Sequence, residues 1–194
     1  MSTKITVTLG PDANQTQQLL NTMTRYHELC NYISQLSVEH DYSLPTHINY
    51  WKVDNIYGIP YHQVLGMFPD VNSNIITLAF RKVSQSYSKT KTITKPLHFA
   101  GDVDFNSYMV SFLYITPLPT NIGVISISTL AGHQKMRFEL EDAQRKYWDI
   151  ALSFKKYCEY KLSYHEGRFC LSRNLGDSKI KAYRQKRQRY FVPV

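Results

Sequence analysis

Two basic clusters, far apart in the sequence, have the chemistry needed to bind phosphates. The chain carries a net charge of +8, and residues 71–101 and 178–194 together contain eleven lysines and arginines without any acidic residue. Such clusters neutralise phosphate groups in nucleic-acid complexes, so they favour a polyanionic partner. A solvated helix face and a basic chain end would give the same pattern, and charge alone does not separate the two interpretations.

Residue patterns that support catalysis are scarce by comparison. The sequence has no glycine-rich phosphate-binding loop and no nucleophile elbow, and its seven histidines are scattered without metal-ligand spacing. Cys30, Cys158 and Cys170 lie too far apart for a CxxC pair, so neither a zinc site nor a disulfide framework is predicted. The acidic cluster within residues 139–142 is predicted to cap a helix. The sequence therefore favours binding over catalysis.

The N-terminal region predicts a strand followed by a long helix. Lys4–Leu9 contains alternating β-branched residues and ends at a Gly-Pro pair, as a short strand does. Asp12 and Gln15 then have the spacing of a helix cap with a reciprocal side chain. Apolar residues recur every three or four positions over residues 19–33, which predicts an amphipathic helix of roughly 25 residues.

A second helix is predicted over residues 72–87, with Asn72 as its cap. Arg81 and Lys82 fall near its exposed edge. The polar stretch 86–95 and the Pro- and Gly-broken stretch 41–60 are predicted as loops, the latter with a short helical piece. The buried side of the helix is marked by Ile75, Ala79 and Val83.

The second half of the chain predicts β-structure. Short apolar or alternating runs recur there at near-regular spacing with turn residues between several of them, which indicates a small antiparallel barrel or sandwich. Residues 165–167 are predicted as a hairpin turn. The predicted strands are Leu97–Phe99, Val103–Phe105, Met109–Tyr114, Gly123–Ser128, Met136–Leu140, Lys155–Tyr164 and Arg168–Ser172. Because one strand precedes the two helices, an α+β fold with the helices inserted into the barrel is predicted.

An ordered series of residues resembles the N-terminal part of TnpB proteins, the transposon-encoded relatives of type V CRISPR effectors. The series opens with Val7, Leu9, Pro11, Gln15, Leu19, Tyr26, Cys30, Asn31 and Tyr32. It continues with Tyr57-Gly58, the run Ala79–Val83 and Tyr87, and then with the stretches DVDFNSYMVSF, GVISISTLAG and YKLSYHEGRFCLSR. The similarity extends over nearly all of residues 1–173.

The resemblance implies a small wedge-type, OB-like antiparallel β-barrel that carries an inserted helical recognition lobe. Residues 1–10 would form the first barrel strand, 11–95 the inserted lobe, 96–173 the barrel and 174–194 a basic terminal helix or tail. In TnpB proteins these parts hold a guide RNA and read a short motif beside the target DNA. The expected partners are therefore a guide RNA and a target DNA.

The nuclease part of such proteins has no counterpart in this sequence. In the family a RuvC domain with three acidic metal ligands and a zinc ribbon follows the barrel. After Arg173 the sequence is short and polar before the basic cluster, and Asp177 is the only candidate for a remnant of those ligands. One carboxylate cannot hold two metal ions. No cofactor is therefore expected on this chain, and Mg²⁺ is expected only with a separate RuvC chain.

The second helix is the candidate reader of the DNA motif. Asn74, Thr77, Arg81 and Lys82 offer the amide, hydroxyl and cationic groups that bind base edges and phosphates. Asn74 falls where TnpB proteins often carry glutamine. An ordinary polar helix surface would present the same residue types.

The candidate RNA-binding residues come from the predicted loop and from the terminal cluster. RNA that is recognised by its shape requires phosphate contacts rather than a unique motif. Tyr108, Tyr114 and Tyr164 offer rings for base stacking, although core packing is the favoured interpretation of them. The basic candidates are Lys89, Lys91, Lys95, Lys179, Lys181, Arg184, Arg187 and Arg189.

Several arrangements agree with these expectations. The chain is expected to be the front half of a split RNA-guided nuclease, partnered by a RuvC chain or a second copy, or a nuclease-dead relative that binds DNA as a repressor does. An enzyme whose catalytic part lies elsewhere and a small basic RNA-binding barrel without a guide are the alternatives. No signal peptide or apolar run of ~18 residues is visible, which predicts a cytoplasmic location without membrane contact.

Overall fold

The computed structural model describes residues 2–39, 61–90, 95–115, 122–140 and 159–176. Three helices lie in these ranges: α1 (Ala13–Glu39), α2 (Tyr61–Met67) and α3 (Ser73–Thr90). Seven strands lie there too: β1 (Ser2–Gly10), β2 (Val103–Asn106), β3 (Val110–Ile115), β4 (Ile122–Thr129), β5 (Gly132–Glu139), β6 (Glu159–His165) and β7 (Arg168–Gly176). None of the helices in the described ranges is both long and apolar enough to span a membrane.

The strands form one seven-stranded antiparallel sheet in the order β2-β6-β7-β1-β5-β4-β3. β1 lies in its middle and pairs with β7 on one side and with β5 on the other. The predicted α+β class is confirmed. Within the described residues the sheet is open, and the predicted closed barrel is not observed there.

The two edge strands of the sheet follow each other directly in the chain. β2 ends at Asn106 and β3 begins at Val110, with a three-residue turn between them. The ring of Phe112 on β3 lies 5.9 Å from the ring of Tyr160 on β6. Five strand spacings of about 4.8 Å would separate β3 and β6 in a flat sheet. The contact between these two rings therefore shows that the sheet is strongly curled.

The turn between β6 and β7 confirms the predicted hairpin. Glu166 and Gly167 both have positive φ angles, of 50° and 79°. Two consecutive positive φ angles are the signature of a type I′ turn, whose twist matches that of the strands it joins. Glycine adopts this conformation without steric cost. The turn places His165 opposite Arg168.

The described chain forms two compact units. The helical unit comprises residues in Thr16–Val103 together with the β4–β5 turn, Thr129–Gly132. The other described residues form the sheet unit. β7 continues through Asn174 to Gly176, so a strand occupies the first positions that we expected in the terminal helix or tail.

α1 begins at the cap that the sequence predicts. The backbone N–H of Gln15 donates to Asp12 Oδ1 at 2.8 Å, and the N–H of Asp12 donates to Gln15 Oε1 at 3.1 Å. These two bonds satisfy backbone donors that the first helical turn leaves without partners. The helix has 27 residues, close to the predicted length. The predicted apolar stripe is buried, including Leu19, Met23, Tyr26, Cys30 and Ile33.

α3 begins at the predicted cap but continues past its predicted end. The N–H of Ile75 donates to Asn72 Oδ1 at 3.1 Å, which confirms the cap. The helix extends to Thr90, past its predicted end near Tyr87, so the loop prediction is wrong for residues 88–90. Tyr87 is buried and its hydroxyl lies 2.8 Å from Ser34 Oγ on α1. Packing against α1 thus stabilises a helical end whose own residues are mostly polar.

Arg25 on α1 binds the segment that connects α2 to α3. Its guanidinium donates through Nε and Nη2 to the carboxylate of Asp70, at 2.9 and 2.7 Å, and lies 4.4 Å from the centroid of the Phe68 ring. Glu28 accepts a further bond from Nη1 at 2.9 Å. The hydrogen bonds from Arg25 hold the pKa of the Asp70 carboxyl below its usual value. The sequence did not predict α2, whose seven residues are too few for a periodic pattern.

Residues 95–99 correct a strand prediction. Leu97–Phe99 is extended but belongs to no strand. Its backbone is hydrogen-bonded by side chains instead: the N–H of Phe99 donates to Asn31 Oδ1 at 2.7 Å, and the N–H of Leu97 donates to Ser34 Oγ at 2.7 Å. The hydroxyl of Tyr87 donates to the carbonyl of Lys95 at 3.0 Å. Three side chains thus satisfy backbone groups that a neighbouring strand would otherwise satisfy.

The imidazole of His27 on α1 has a pKa below its ordinary value. Burial lowers the pKa of its imidazole, and the nearby charges of His98 and Lys82 lower it further, while a hydrogen bond to the backbone of Gly101 opposes them. Its Nε2 atom is buried and has no hydrogen-bond partner within the described part of the chain. Protonation would therefore place an uncompensated charge inside the helical unit.

Replacing Asn31 by alanine tests the side-chain clasp on residues 95–99. Asn31→Ala leaves the N–H of Phe99 without its acceptor, so the free energy of unfolding should fall by about 1–3 kcal/mol. Urea unfolding followed by circular dichroism measures the change. Asn21→Ala, on the exposed face of the same helix, is the matched control and should stay within about 0.5 kcal/mol. Equal effects of the two substitutions would contradict the clasp.

The depressed pKa of His27 predicts a pH dependence of stability. The folded pKa lies below the unfolded value of 6.5, so the unfolded chain binds the proton more readily. The free energy of unfolding should therefore fall as the pH drops below about 6.5 and level off below the folded pKa. His27→Gln should flatten this dependence in urea titrations, whereas His133→Gln, at an exposed position of the sheet unit, should retain it. Loss of the dependence in both variants, or in neither, would contradict this assignment.

Candidate nucleic-acid interface

α3 is buried around most of its circumference. At 100° per residue, its eight buried side chains span an arc of about 240°. The remaining narrow strip, which we call the α3 strip, contains residues spaced three or four apart that fall on one line along the helix. The buried side chains are Ile75, Ile76, Leu78, Ala79, Phe80, Val83, Ser84 and Tyr87. The α3 strip consists of Asn74, Thr77, Arg81 and Gln85.

The α3 strip presents an amide, a hydroxyl, a guanidinium and a second amide in series. Asn74 and Gln85 are exposed, and Thr77 and Arg81 are half-buried. The hydroxyl of Thr77 donates to the carbonyl of Ser73 at 2.8 Å, so it can offer its lone pairs to a ligand. The four Cα positions extend over about 16 Å at 1.5 Å per residue. An α-helix fits the major groove of duplex DNA, where these groups pair with base edges and phosphates.

The structure brings together three of the four predicted motif-reading residues and separates the fourth. Asn74, Thr77 and Arg81 share the α3 strip. Lys82 lies about 100° further round the helix, on the side occupied by buried residues. Its charge lowers the pKa of His27 on α1, which places its ammonium group near that imidazole. Lys82 therefore belongs to the packed side of α3, although its position in the sequence suggested the exposed edge.

Gln85 is a strip residue that the sequence alone did not single out. It follows Arg81 by four positions, and this spacing places both side chains on one face of a helix. Both residues lie within the helix predicted over residues 72–87, so this spacing was already present in the sequence. The longer helix makes Gln85 an interior position of α3.

Among the predicted RNA-binding residues, only Lys95 has a described side chain. It is exposed, and its carbonyl is held by the Tyr87 hydroxyl. Lys89 lies within α3, but its side chain is outside the described part of the structure. The other candidates lie outside the described residues: Lys91, Lys179, Lys181, Arg184, Arg187 and Arg189, as does Asp177.

The three tyrosines considered for base stacking have different environments. The side chain of Tyr108 is 75% exposed in the β2–β3 turn, so core packing is wrong for this residue. Tyr164 is exposed along part of its ring and packs on Phe169 with ring centroids 4.5 Å apart. The side chain of Tyr114 lies outside the described set. Tyr108 is thus the ring best placed to meet a ligand.

Metal-ligating residues do not cluster in the described parts of the chain. No group of three or more His, Cys, Asp or Glu side chains there could hold a metal ion. Cys30 and Cys170 are free thiols, the former buried and the latter partly exposed. Cys158 and the acidic pair Glu141 and Asp142 lie beyond the described ranges.

The chain was also compared with known proteins. No protein-family model matches it, and no curated protein is similar enough to count as a match.

Proposed function

We propose that the chain is the non-catalytic, guide-RNA- and target-DNA-binding portion of a TnpB-like RNA-guided system. In this proposal α3 reads the DNA motif beside the target through Asn74, Thr77, Arg81 and Gln85. Phosphate contacts from Lys95 and from the basic chain end hold the guide RNA. The observation that carries the proposal is the α3 strip, a single line of amide, hydroxyl and guanidinium side chains on a helix that is buried over most of its circumference.

The rigidity of α3 supports a reading role. Side chains that discriminate bases must be positioned by their support, because a bidentate contact depends on distance and angle. α3 is capped by Asn72 at its start, and Tyr87 packs into α1 near its end. The strip between them therefore rests on a backbone that is fixed at both ends. An ordinary surface helix buries a single apolar stripe, whereas α3 is buried over most of its circumference.

The sheet supports the wedge part of the proposal. Its edge strands β2 and β3 are joined by a short turn, and its curl brings the rings of Phe112 and Tyr160 into contact. Closure into an OB-like barrel requires only that these two neighbouring edges pair. We propose that the two edges do pair, because small barrels of this type bind oligonucleotides on their outer surface.

The residues of the TnpB-like series occupy positions that determine local structure. Gln15 completes the α1 cap, Cys30 is fully buried, and Asn31 clasps the segment that returns from α3. These roles depend on residue type, so a shared series of this kind supports a shared architecture. The expected setting is a cytoplasmic complex with a separate RuvC chain or a second copy. Without a nuclease partner the same chain would act as a repressor.

Asn74→Ala tests whether the α3 strip reads the DNA motif. The substitution leaves the buried side of α3 intact, so the fold should persist. Removal of a base-edge hydrogen bond costs on the order of 1–3 kcal/mol for the preferred base, so the preference at one motif position should relax. A binding selection over randomised flanking sequence, with the same guide RNA, measures the preference.

A control variant and a measurement of RNA affinity separate a loss of motif reading from other effects of the substitution. Asn21→Ala removes an equally exposed amide on α1 and should leave the motif preference unchanged. Affinity for the guide RNA should be preserved in both variants. Identical motif preferences for wild type and Asn74→Ala would show that Asn74 does not contact the DNA motif. A large loss of RNA affinity in Asn74→Ala would instead indicate that α3 contacts the guide RNA.

Replacing basic residues at the chain end tests the RNA contacts. Gln at positions Lys181, Arg184, Arg187 and Arg189 removes four positive charges and should weaken RNA binding. For each phosphate that is no longer neutralised, the slope of log affinity against log salt should decrease by roughly 0.7–0.9. An unchanged slope would exclude this segment from the RNA site. RNA sequencing of copurified material then separates a guide from general RNA binding, since a guide gives one structured species.

A further inference from the structure

The register of the central strands brings basic residues from opposite parts of the sequence into one row. His165 pairs with Arg168, and Gly10 pairs with Arg137. Leu9 pairs with Phe169, so the next position in the same antiparallel register sets Gly10 against Arg168. A single row therefore crosses β6, β7, β1 and β5 as His165, Arg168, Gly10 and Arg137. We call this the Gly10 row.

All members of the Gly10 row point away from the core. Their chain neighbours Leu9, Phe138 and Phe169 are buried, and side chains alternate between the two faces of a strand. His165, Arg168, Gly10 and Arg137 are accordingly exposed. Arg137 and Arg168 make no ion pair within the described part of the chain, so their guanidinium groups face solvent.

Gly10 forms a gap between the two arginines. Arg168 and Arg137 lie on either side of β1, about 10 Å apart at two strand spacings. A Cβ added at Gly10 would meet nothing closer than the carbonyl oxygen of Arg137, at 3.8 Å. The space above β1 is therefore open down to the backbone. A phosphodiester group can lie in this gap and accept hydrogen bonds from both guanidinium groups, which suit phosphate geometry.

The next row of the same face favours RNA over DNA. Register places Ser163, Cys170, Thr8 and Glu139 beside the Gly10 row. Thr8 is exposed, so its hydroxyl can hydrogen-bond a ribose 2′-hydroxyl. The half-buried hydroxyl of Ser163 donates to the carbonyl of Cys170 at 3.3 Å, so it can offer only its lone pairs to such a group. Glu139 is the acidic residue of these two rows, and it lies beside Arg137 on β5. A carboxylate next to one arginine repels a phosphate locally and limits the site to the gap itself.

We infer that the Gly10 row is a binding site for the sugar–phosphate backbone of single-stranded RNA, with Arg137 and Arg168 as its phosphate ligands. This inference rests on the proposed RNA-binding function and adds a site in the sheet unit. It differs from the basic chain end because it requires no residue beyond β7. It also gives a role to the glycine that ends β1.

Fluorescence anisotropy with labelled oligouridylate, over a range of salt concentrations, tests the site. Arg137→Gln with Arg168→Gln should weaken binding by about ten-fold or more and lower the salt slope by about 0.7, because one phosphate is no longer neutralised. Gly10→Thr fills the gap without altering charge and should weaken binding as well. Gly10 has no positive φ, and its Cβ would have ordinary contacts, so this variant should fold. Lys4→Gln, at an exposed position elsewhere on β1, is the matched charge control.

The outcomes separate this site from the broader function. If wild type fails to bind oligouridylate and every other RNA tried, the proposed function itself fails. If wild type binds and the double variant matches it, only the Gly10 row is excluded. A decrease in affinity of the double variant no larger than that of Lys4→Gln would also overturn the site. Equal decreases for oligouridylate and oligodeoxythymidylate would contradict the assignment to RNA.

Discussion

The position of β1 is the constraint on which the rest of the structure depends. The first strand of the chain lies in the middle of the sheet, between β7 and β5. β7 pairs with β1 along nearly its whole length, and β5 pairs with its last three residues; both strands lie more than a hundred residues away in sequence. A shift of one residue would turn Ile5, Val7 and Leu9 from the core to the solvent. The same shift would also take Gly10 out of line with Arg137 and Arg168. One strand register therefore determines both which residues are buried and which residues form the Gly10 row.

The helical unit is held by side chains that substitute for a strand. Asn31 and Ser34 on α1, and Tyr87 on α3, hydrogen-bond the backbone of residues 95–99. Buried backbone groups without partners cost free energy, so these side chains cannot be exchanged for apolar ones of similar size. Because Tyr87 takes part, the same network fixes the rotation of α3. The direction in which the α3 strip faces thus follows from polar contacts on the opposite side of the helix.

The sequence predicted features that depend on local spacing and missed those that depend on register or packing. The caps of α1 and α3 were predictable, since each is a contact between residues three apart. Leu97–Phe99 was mistaken for a strand because an extended segment has the same pattern whether strands or side chains satisfy its backbone. The position of Lys82 toward His27 and the exposure of Tyr108 are set by packing. The pairing of Arg137 with Gly10 exists only once the strands are registered.

The two proposed surfaces place different demands on the chain. A side chain of the α3 strip can be exchanged without opening the core, because every buried residue of α3 lies on another part of its circumference. If the α3 strip reads a motif as proposed, its preference can change with little effect on stability. The Gly10 row is different, since its central element is the absence of a side chain. A larger residue there would keep the strand and fill the gap, so the fold alone does not require glycine at this position, whereas the proposed ligand does. The two proposed functions therefore depend on different features: reading a motif depends on the side chains of the α3 strip, and holding a nucleic-acid backbone depends on open access to the main chain at Gly10.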